Sequence, residues 1–274
     1  MIRGTLQDLA DWERRGEPGL LSVVIPAHNE EGQIAETVRA FHAALDAAGI
    51  RHEILVVNDN STDRTAEILA GLAGEIAALR VLDNPPPNGF GFAVRQGLLH
   101  FRGDAVAIVM ADMSDSPADL VAFHAKFRQG FDCVFGSRFV RGGRLVDYPW
   151  PKLILNRLAN LLIQVLFRLG YNDVTNAFKL YSRAAIAGVQ PLLSHHFNLT
   201  VELPLKAIVR GHSYAVLPNS WTNRKAGVSK LKIREMGSRY MFIVLYCLIE
   251  RWLSRGDYLQ ETRARQLGLG QDAP

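Results

Sequence analysis

The sequence Ala105-Val-Ala-Ile-Val-Met-Ala-Asp-Met-Ser-Asp-Ser-Pro117 joins a short apolar run to an acidic end. Residues 106–110 predict a strand buried on both faces, as in a parallel sheet. Asp112 and Asp115 follow at once, and Pro117 favours the start of a helix. Taken alone, the two acids fit turn and helix-cap roles better than a metal site, because Asp, Ser and Pro are common in both. Ligands of open α/β sheets do bind where the strands end, however. The flanking sequence therefore has to decide between a cap role and a metal site.

Short apolar strands alternate with amphipathic helices through the first half of the chain. The predicted strands are residues 21–26, 53–57, 79–82, 106–110 and 131–137, and a helix follows each of the first four. This alternation predicts an α/β fold with a mostly parallel, Rossmann-like sheet flanked by crossover helices. After residue 143 we predict an apolar helical region, further strands, a basic loop and a second apolar helix, at residues 150–169, 178–182 and 214–218, 221–232, and 235–254 in that order.

The composition is that of a globular protein with a sizeable core. The chain has 274 residues, of which 48% are hydrophobic and 21% charged, and its net charge is +4. This mild excess admits anionic partners in general, and we expect no nucleic-acid partner. Cys133 and Cys247 lie far apart without metal-ligand spacing, which predicts neither a disulfide framework nor a zinc site and favours a reducing cytosol.

No segment of the sequence predicts a membrane-spanning helix. Residues 1–19 are polar, so we expect no signal peptide there. The longest apolar run, residues 240–249, is ten residues long, about half of the ~20 that a transmembrane helix needs.

The end of the first strand argues against a dinucleotide-binding protein. It reads Pro26-Ala-His-Asn-Glu-Glu31 where a Gly-x-Gly-x-x-Gly motif would stand, and proline has no N–H to offer a phosphate. Acids and amides follow three of the predicted strands instead: Asn29, Glu30, Asn58, Asp59, Asp63, Asp112 and Asp115. Because carboxylate oxygens suit Mg²⁺ and Mn²⁺, the sequence predicts a solvated mouth that recognises hydroxyl groups and a hard cation.

Several short motifs now stand in a recognisable order between residues 21 and 232. They are Val24-Ile-Pro-Ala-His-Asn-Glu-Glu31, Val56-Val-Asn-Asp-Asn-Ser-Thr-Asp63, Asn88-Gly-Phe-Gly91, Met110-Ala-Asp-Met-Ser-Asp-Ser-Pro117, Gly136-Ser-Arg138 and Trp221-Thr-Asn-Arg-Lys-Ala-Gly-Val-Ser-Lys230. In this order they resemble family 2 glycosyltransferases of the GT-A fold, in the dolichyl/polyprenyl-phosphate mannosyltransferase branch.

The resemblance implies a role for particular residues. It places Mg²⁺ or Mn²⁺ at Asp112 and Asp115, and it implies that these two acids and Arg138 serve catalysis. It places the nucleotide-sugar against Pro26, Ala27, Asn29, Glu30, Asn58, Asp59 and Asp112. It places the donor and acceptor phosphates against Ser137, Arg138, Lys152, Arg224, Ser229 and Lys230.

Two positions depart from the family pattern. The family usually has Asp-Asp-Gly-Ser where this chain has Asn58-Asp-Asn-Ser61, so the base pocket loses one acid. The family's metal stretch usually reads Asp-Ala-Asp-Leu-Gln before a proline pair. Aligned on Pro117, this chain has Ala111 and Met113 at the two Asp positions, Asp112 between them and Asp115 at the Gln. We therefore expect the metal to be bound by an unusual ligand set.

The implied activity is inverting transfer of a hexose, mannose from GDP-mannose, to a polyprenyl or dolichyl phosphate at the cytoplasmic face of a membrane. A phosphate monoester is largely dianionic at pH 7, so this acceptor needs no strong general base. We expect peripheral membrane contact through the helices at 150–169 and 240–252. The alternative for both helices is packing on the sheet or on a partner subunit, and for the second helix this alternative is slightly favoured. The basic loop at 221–232 is expected to close over the phosphates.

Two alternatives remain open at this stage. The first is a UDP-hexose donor, carrying glucose or N-acetylglucosamine, with the same acceptor. The second is a non-catalytic nucleotide-binding module on a decayed transferase scaffold, which the altered metal stretch favours and the retained Arg138, Arg224 and Lys230 disfavour. The domain organisation is the same in each case: an extension at 1–19, a GT-A domain at 20–232, an apolar helix at 233–255 and a flexible tail at 256–274.

Overall fold

The computed structural model describes residue 12 and residues 16–223, 233–254 and 256–258. The predicted phosphate-binding residues Arg224, Ser229 and Lys230 lie outside these described residues, and so do most of the N-terminal extension and most of the tail.

Strands and helices alternate along the described chain in the predicted order. The strands are β1 (Glu17–Ala27), β2 (His52–Asn58), β3 (Leu79–Asp83), β4 (Gly103–Ile108), β5 (Cys133–Ser137), β6 (Arg144–Val146), β7 (Lys179–Ser182), β8 (Tyr214–Pro218) and β9 (Ser220–Thr222). The helices are α1 (Ile34–Ala47), α2 (Thr65–Glu75), α3 (Phe90–His100), α4 (Pro117–Phe127), α5 (Trp150–Phe167), α6 (Arg183–Gly188), α7 (Leu199–Val209) and α8 (Ile233–Leu253).

Seven of the described strands form one mixed sheet in the order β3-β2-β1-β4-β7-β5-β8. Every pairing in it is parallel except those of β7, which runs antiparallel to both β4 and β5. The prediction of a mostly parallel sheet is therefore confirmed, with β7 as its exception. The helices α6 and α7 and the small parallel pair β6–β9 were not predicted from the sequence. Helix α7 carries Pro204 in its interior and is buried on nearly all sides, so its amphipathic period is weak.

Two hydrophobic layers cover the two faces of the sheet. Alternate residues of β1 point to opposite faces, so Val23 and Ile25 pack with α1, α2 and α4, whereas Val24 packs with α3, α5, α7 and α8. The four residues predicted for the buried stripe of α1 are all fully buried: Ile34, Val38, Phe41 and Leu45. The molecule is thus a three-layer sandwich with the sheet between two helix layers.

The strand ends differ from the prediction in two places that bear on the site. Pro26 was expected to end β1, but it lies within the strand and pairs in register with Val57 of β2. This is tolerated because β1 stops pairing with β4 at Val24, so the missing N–H leaves no gap on that side. Strand β4 ends at Ile108, two residues earlier than predicted, which gives the acidic stretch after it more room to turn.

Helices α5 and α8 contact each other and expose apolar side chains. On α5 these are Trp150, Ile154, Leu155, Leu158, Leu161, Leu162 and Val165; on α8 they are Met241, Phe242, Leu245, Ile249, Trp252 and Leu253. The opposite face of α8 packs against α7 through a buried row that includes Ile243 and Cys247. None of the helices in the described ranges combines the length and apolarity needed to cross a bilayer.

Candidate active site at the ends of the strands

The loops that follow β1 and β2 are joined by hydrogen bonds between polar groups. Asn29 adopts a left-handed conformation with φ of 54°, and its Oδ1 accepts a hydrogen bond from the Thr62 amide at 2.7 Å. Its own amide donates to Ser61 Oγ at 3.1 Å, and the Glu30 amide donates to Thr65 Oγ1 at 2.9 Å. Pro26 and Ala27 are buried beneath these loops. The predicted nucleotide-binding residues of the first strand end are thereby brought beside those of the second.

Asp59 connects three segments under the predicted base pocket. Its carboxylate accepts from Asn84 Nδ2 and from the Gly89 amide, both at 2.7 Å. Its neighbour Asn58 donates from Nδ2 to Asp83 Oδ1 at 2.9 Å, which ties β2 to the end of β3. Gly89 has φ of 150°, a conformation that side chains disfavour, and a Cβ there would also approach the His195 carbonyl. Asp59 therefore holds the segment after β3 and the start of α3 in place.

Asp112 and Asp115 lie together at the end of β4, as predicted, but the expectation that they are solvated is wrong. They are only 6% and 2% exposed. The stretch folds back on itself, so Asp115 Oδ2 accepts from the Met110 amide at 3.0 Å and Asp112 Oδ1 accepts from the Ser114 amide at 3.2 Å. Strand β9 covers the turn, because the Thr222 amide donates to the Ser114 carbonyl at 3.1 Å.

Burial also changes the ionisation of this pair. Desolvation raises the pKa of Asp115 to about 7; the Met110 amide opposes the shift and the charge of Asp112 adds to it. A cation bound beside these carboxylates would favour their ionised forms. Electrostatics therefore favours a cation bound between the two acids.

The residues around Asp112 and Asp115 fit Mg²⁺ or Mn²⁺. Ser114 Oγ, between the two acids, is buried and finds no hydrogen-bond partner among the described residues. Among all the described residues, no group of three or more His, Cys, Asp or Glu side chains is arranged so that it could hold a metal ion by itself. Mg²⁺ commonly binds through one or two carboxylates together with substrate phosphates and water. The chain thus supplies a partial ligand set of the kind that a diphosphate completes.

Ser137 and Arg138 lie at the end of β5, and their side chains point to a segment that the sequence analysis missed. Ser137 Oγ donates to Asn172 Oδ1 at 2.6 Å. Arg138 forms a buried bidentate pair with Asp173, with Nε–Oδ2 and Nη2–Oδ1 distances of 2.8 and 2.7 Å. Burial alone would lower the pKa of Arg138, but the pair with Asp173 raises it above its ordinary value. The mostly polar segment 172–176, inside an otherwise apolar region, is the sequence signal that could have revealed Asp173.

Three further cations lie near this end of the sheet. Lys152 is half-buried in the first turn of α5. Arg157 on the same helix stacks over the ring of Phe139 at 4.2 Å. Lys179 is buried, and its Nζ donates to the carbonyls of Val174 and Thr200 at 3.0 and 3.3 Å.

Glu202 is fully buried in the first turn of α7, where it pairs with Lys206 at 2.7 Å and accepts from the amides of Leu193 and Ser194. Its role is to hold the segment before α7.

Comparison with known sequences gives a consistent family. The chain matches the model described as Glycosyl transferase family 2 over residues 22–189. It is 31% identical over 216 residues to the polyprenol monophosphomannose synthase of Mycolicibacterium smegmatis, covering 76% of this chain and 80% of that protein. It is 26% identical over 214 residues to the dolichol-phosphate mannosyltransferase of Pyrococcus furiosus, covering 77% of this chain and 59% of that protein.

Comparison with solved structures supports the fold. The glucosyl-3-phosphoglycerate synthase of Mycobacterium tuberculosis, solved with Mn²⁺, UDP and phosphoglyceric acid, superposes with a TM-score of 0.62 at 21% identity, over 90% of this chain and 82% of that one. A structure described as a mycobacterial protein superposes with a TM-score of 0.64 at 20% identity, over 92% and 80% of the two chains. At this identity the likeness establishes a shared GT-A architecture.

Proposed function

The chain belongs to glycosyltransferase family 2, and we propose that it is an inverting enzyme that transfers mannose from GDP-mannose to a polyprenyl phosphate. The observation that carries the proposal is the 31% identity to a polyprenol monophosphomannose synthase over 80% of that protein's length. The geometry supports it, because acids, amides and hydroxyls from β1, β2, β4 and β5 converge on one edge of the sheet.

The donor lies across the ends of β1, β2 and β4 in this proposal. Asn29 and Glu30, on the exposed side of the loops, and Asp59, in the floor, face the nucleoside. Asp112 and Asp115 would hold Mg²⁺ or Mn²⁺, which would supply positive charge next to the departing nucleoside diphosphate. Ser114, between these acids, could offer its hydroxyl as a further ligand to the cation.

The acceptor lies on the other side of β4. Its phosphate is a dianion at neutral pH, so its oxygen attacks the anomeric carbon directly and inverts the configuration there. Because Asp173 balances the charge of Arg138, the remaining positive charge for the phosphates comes from Lys152 and from Arg224 and Lys230 of the basic loop. These cations offset the repulsion between the donor and acceptor phosphates.

Transfer assays test the proposal directly. The full chain is incubated with a polyprenyl phosphate in vesicles, with Mg²⁺ or Mn²⁺, and with GDP-mannose, UDP-glucose or UDP-N-acetylglucosamine in parallel. We expect a mannosyl lipid from GDP-mannose, with an inverted anomeric centre by NMR of the product. A product from a UDP-sugar alone would show that the donor is wrong. Binding of GDP without transfer from any donor would favour the non-catalytic module.

We also propose that the apolar faces of α5 and α8 rest on an acidic bilayer surface, at the cytoplasmic face of a membrane. The acceptor's hydrocarbon tail keeps it in the bilayer, so the crevice has to approach the lipid surface. Helices with one apolar face and flanking cations bind such surfaces in plane. Leu158 and Val165 are more than half exposed on α5, and the cations Arg168 and Arg251 are exposed near the helix ends.

Vesicle flotation tests this contact. We expect the wild-type chain to float with vesicles containing anionic lipid, and a variant with Leu158→Lys and Val165→Lys to remain in solution. Glu36→Lys, an equally exposed change on α1, is the matched control and should float normally. A wild-type chain that stays in solution and forms a dimer, which the double variant abolishes, would instead assign this face to a second copy of the chain.

A further inference from the structure

Asp173 makes an unusually complete set of contacts with one residue of the site. Its side chain is fully buried, and it accepts three hydrogen bonds from Arg138: from the backbone amide at 3.0 Å, from Nε at 2.8 Å and from Nη2 at 2.7 Å. Bidentate, charge-assisted bonds of this kind fix a guanidinium group in one orientation. Asp173 therefore fixes both the main chain and the side chain of Arg138.

The residue before Asp173 holds the two neighbours of Arg138. Asn172 accepts from Ser137 Oγ at 2.6 Å, and its Nδ2 donates to the Phe139 carbonyl at 3.2 Å. The end of β5, with its predicted phosphate-binding residues, is thus held from Ser137 to Phe139 by two consecutive side chains.

Helix α5 in turn holds the segment 172–175 from below. Asn160 is fully buried, and its Nδ2 donates to Thr175 Oγ1 at 3.0 Å while its Oδ1 accepts from the Thr175 amide at 3.3 Å. Asn156 also donates to Thr175 Oγ1, at 2.8 Å, and Arg157 donates to the Asn172 carbonyl at 3.0 Å. These three residues share one face of the helix. A buried amide is costly unless it is bonded, so an asparagine at position 160 marks a specific connection.

We propose that residues 172–175 form a brace that fixes the position of the acceptor-phosphate subsite. Asp173, within the brace, and Asn160, on α5 beneath it, are the positioning residues. Asp173 cancels the charge of Arg138. The brace therefore positions Ser137 and Arg138 and adds no electrostatic attraction for the phosphate. Since the apolar face of α5 lies opposite Asn160, the brace also links the lipid-facing helix to that subsite. The inference rests on the proposed function, which puts the acceptor phosphate at the end of β5.

The test compares two buried carboxylates of the full chain. Glu53 lies at the start of β2, at the opposite end of the strands from the site. It also accepts three hydrogen bonds, from Ser22 Oγ, the Arg102 amide and Arg80 Nη1. Asp173→Asn and Glu53→Gln therefore remove the same charge from similar surroundings. We measure kcat, the KM for a short, water-soluble prenyl phosphate, and the Kd for GDP.

We expect Asp173→Asn to raise the KM for the prenyl phosphate about tenfold or more and to change the Kd for GDP less than about twofold. Glu53→Gln should lower the melting temperature without changing either constant. Asn160→Leu, which leaves the Asp173–Arg138 pair in place, should raise the same KM by a smaller factor, and it covers the case in which Asp173→Asn fails to fold. If Asp173→Asn behaves like Glu53→Gln, or weakens GDP binding as much as acceptor binding, the brace is not a positioning device.

Amide hydrogen exchange separates this inference from the proposed function, because it needs no substrate. The amides of Arg138 and Phe139 should exchange faster in Asp173→Asn and in Asn160→Leu than in Glu53→Gln. Equal exchange rates would overturn the brace even if the wild-type enzyme transfers mannose. Absence of transfer by a wild-type chain whose exchange pattern follows the expectation would overturn the acceptor assignment and leave the brace standing as a structural device.

Discussion

The nucleotide half of the crevice, residues 26–31, 58–63 and 83–89, is held together differently from the phosphate half, residues 137–139 and 172–175 with α5. In the first half, loops on neighbouring strands share hydrogen bonds near the surface, such as that from Thr62 to Asn29. In the second half, a buried ion pair joins residues 35 positions apart. Exposed hydrogen bonds are replaced by water at a net cost of about 1 kcal/mol each, whereas an unpaired buried charge costs several. Substitutions at these exposed loop bonds should therefore be tolerated, whereas substitutions at the buried Asp173–Arg138 pair should be damaging.

The largest effect is expected between the halves, at Asp112. Asp112→Asn keeps an oxygen that can accept from the Ser114 amide, but it removes the charge that attracts a divalent cation. We expect turnover to fall by about a hundredfold or more, with a nearly unchanged melting temperature. Transfer assays over a range of Mn²⁺ concentrations, with thermal unfolding in parallel, measure both quantities.

Asp63→Asn is the control for this prediction. Asp63 also lies in a loop after a strand, where it accepts hydrogen bonds from the amides of Thr65 and Glu31. The Asp63→Asn substitution should affect stability more than turnover. An Asp112→Asn enzyme that retains full activity would assign the acid to a turn role alone.

The next effect concerns Arg224, which lies outside the described residues. Arginine can bond two phosphate oxygens at once and lysine cannot. If the basic loop closes over the donor, Arg224→Lys should reduce kcat/KM by roughly tenfold to a hundredfold although the charge is kept. Lys225→Arg, one residue later, serves as the control with the reverse change. Normal kinetics for Arg224→Lys would mean that the loop is a solvated face.

A smaller effect on stability is expected beneath the phosphate half, at Lys179. Burial lowers the pKa of Lys179 to about 7 from 10.5. Between these two values the unfolded chain binds the proton and the folded chain does not, so the lysine makes stability rise with pH across that window and has little slope below it. The free energy of unfolding of the wild type should therefore gain on that of Lys179→Met between pH 7 and pH 10. Urea unfolding at several pH values measures the difference, and parallel curves would show that Lys179 stays charged in the fold.

The smallest effect is expected in the nucleotide half, at Asn29. Asn29→Ala removes the bond to the Thr62 amide and places alanine at φ of 54°, for a loss of roughly 1–2 kcal/mol. Asn29→Gly loses the same bond without the backbone strain, and should cost less. Urea unfolding ranks the two variants. Because Asn29 faces the nucleoside in the proposed complex, titration with GDP should find an affinity loss of roughly threefold to tenfold in both variants. Unchanged GDP affinity in both variants would mean that Asn29 only holds the loop.

The parts of the fold that sequence reasoning reached are those written in local patterns. The buried stripe of α1 and the order of β1 to β5 follow from periodicity within each segment, and the acids of β1, β2 and β4 meet because parallel strands end at one edge. The burial of Asp115 was missed, since it depends on β9, whose Trp221 forms a bridge with Asp115 across more than a hundred residues. Asp173 was missed for the same reason, because its partner is remote in sequence.

The antiparallel strand β7 has a consequence for how the molecule is made. Strands β3, β2, β1 and β4 are neighbours in the sheet and are complete once residue 108 has been synthesised. Strand β5 has β7 and β8 as its neighbours, so it finds no place in the sheet until residues 179–182 have emerged. During synthesis the nucleotide half can therefore form on the first four strands, while Ser137 and Arg138 wait for their support. A ribosome-stalled chain in which the residues up to the end of α4 have left the exit tunnel should already bind GDP, long before any polyprenyl phosphate has a subsite to enter.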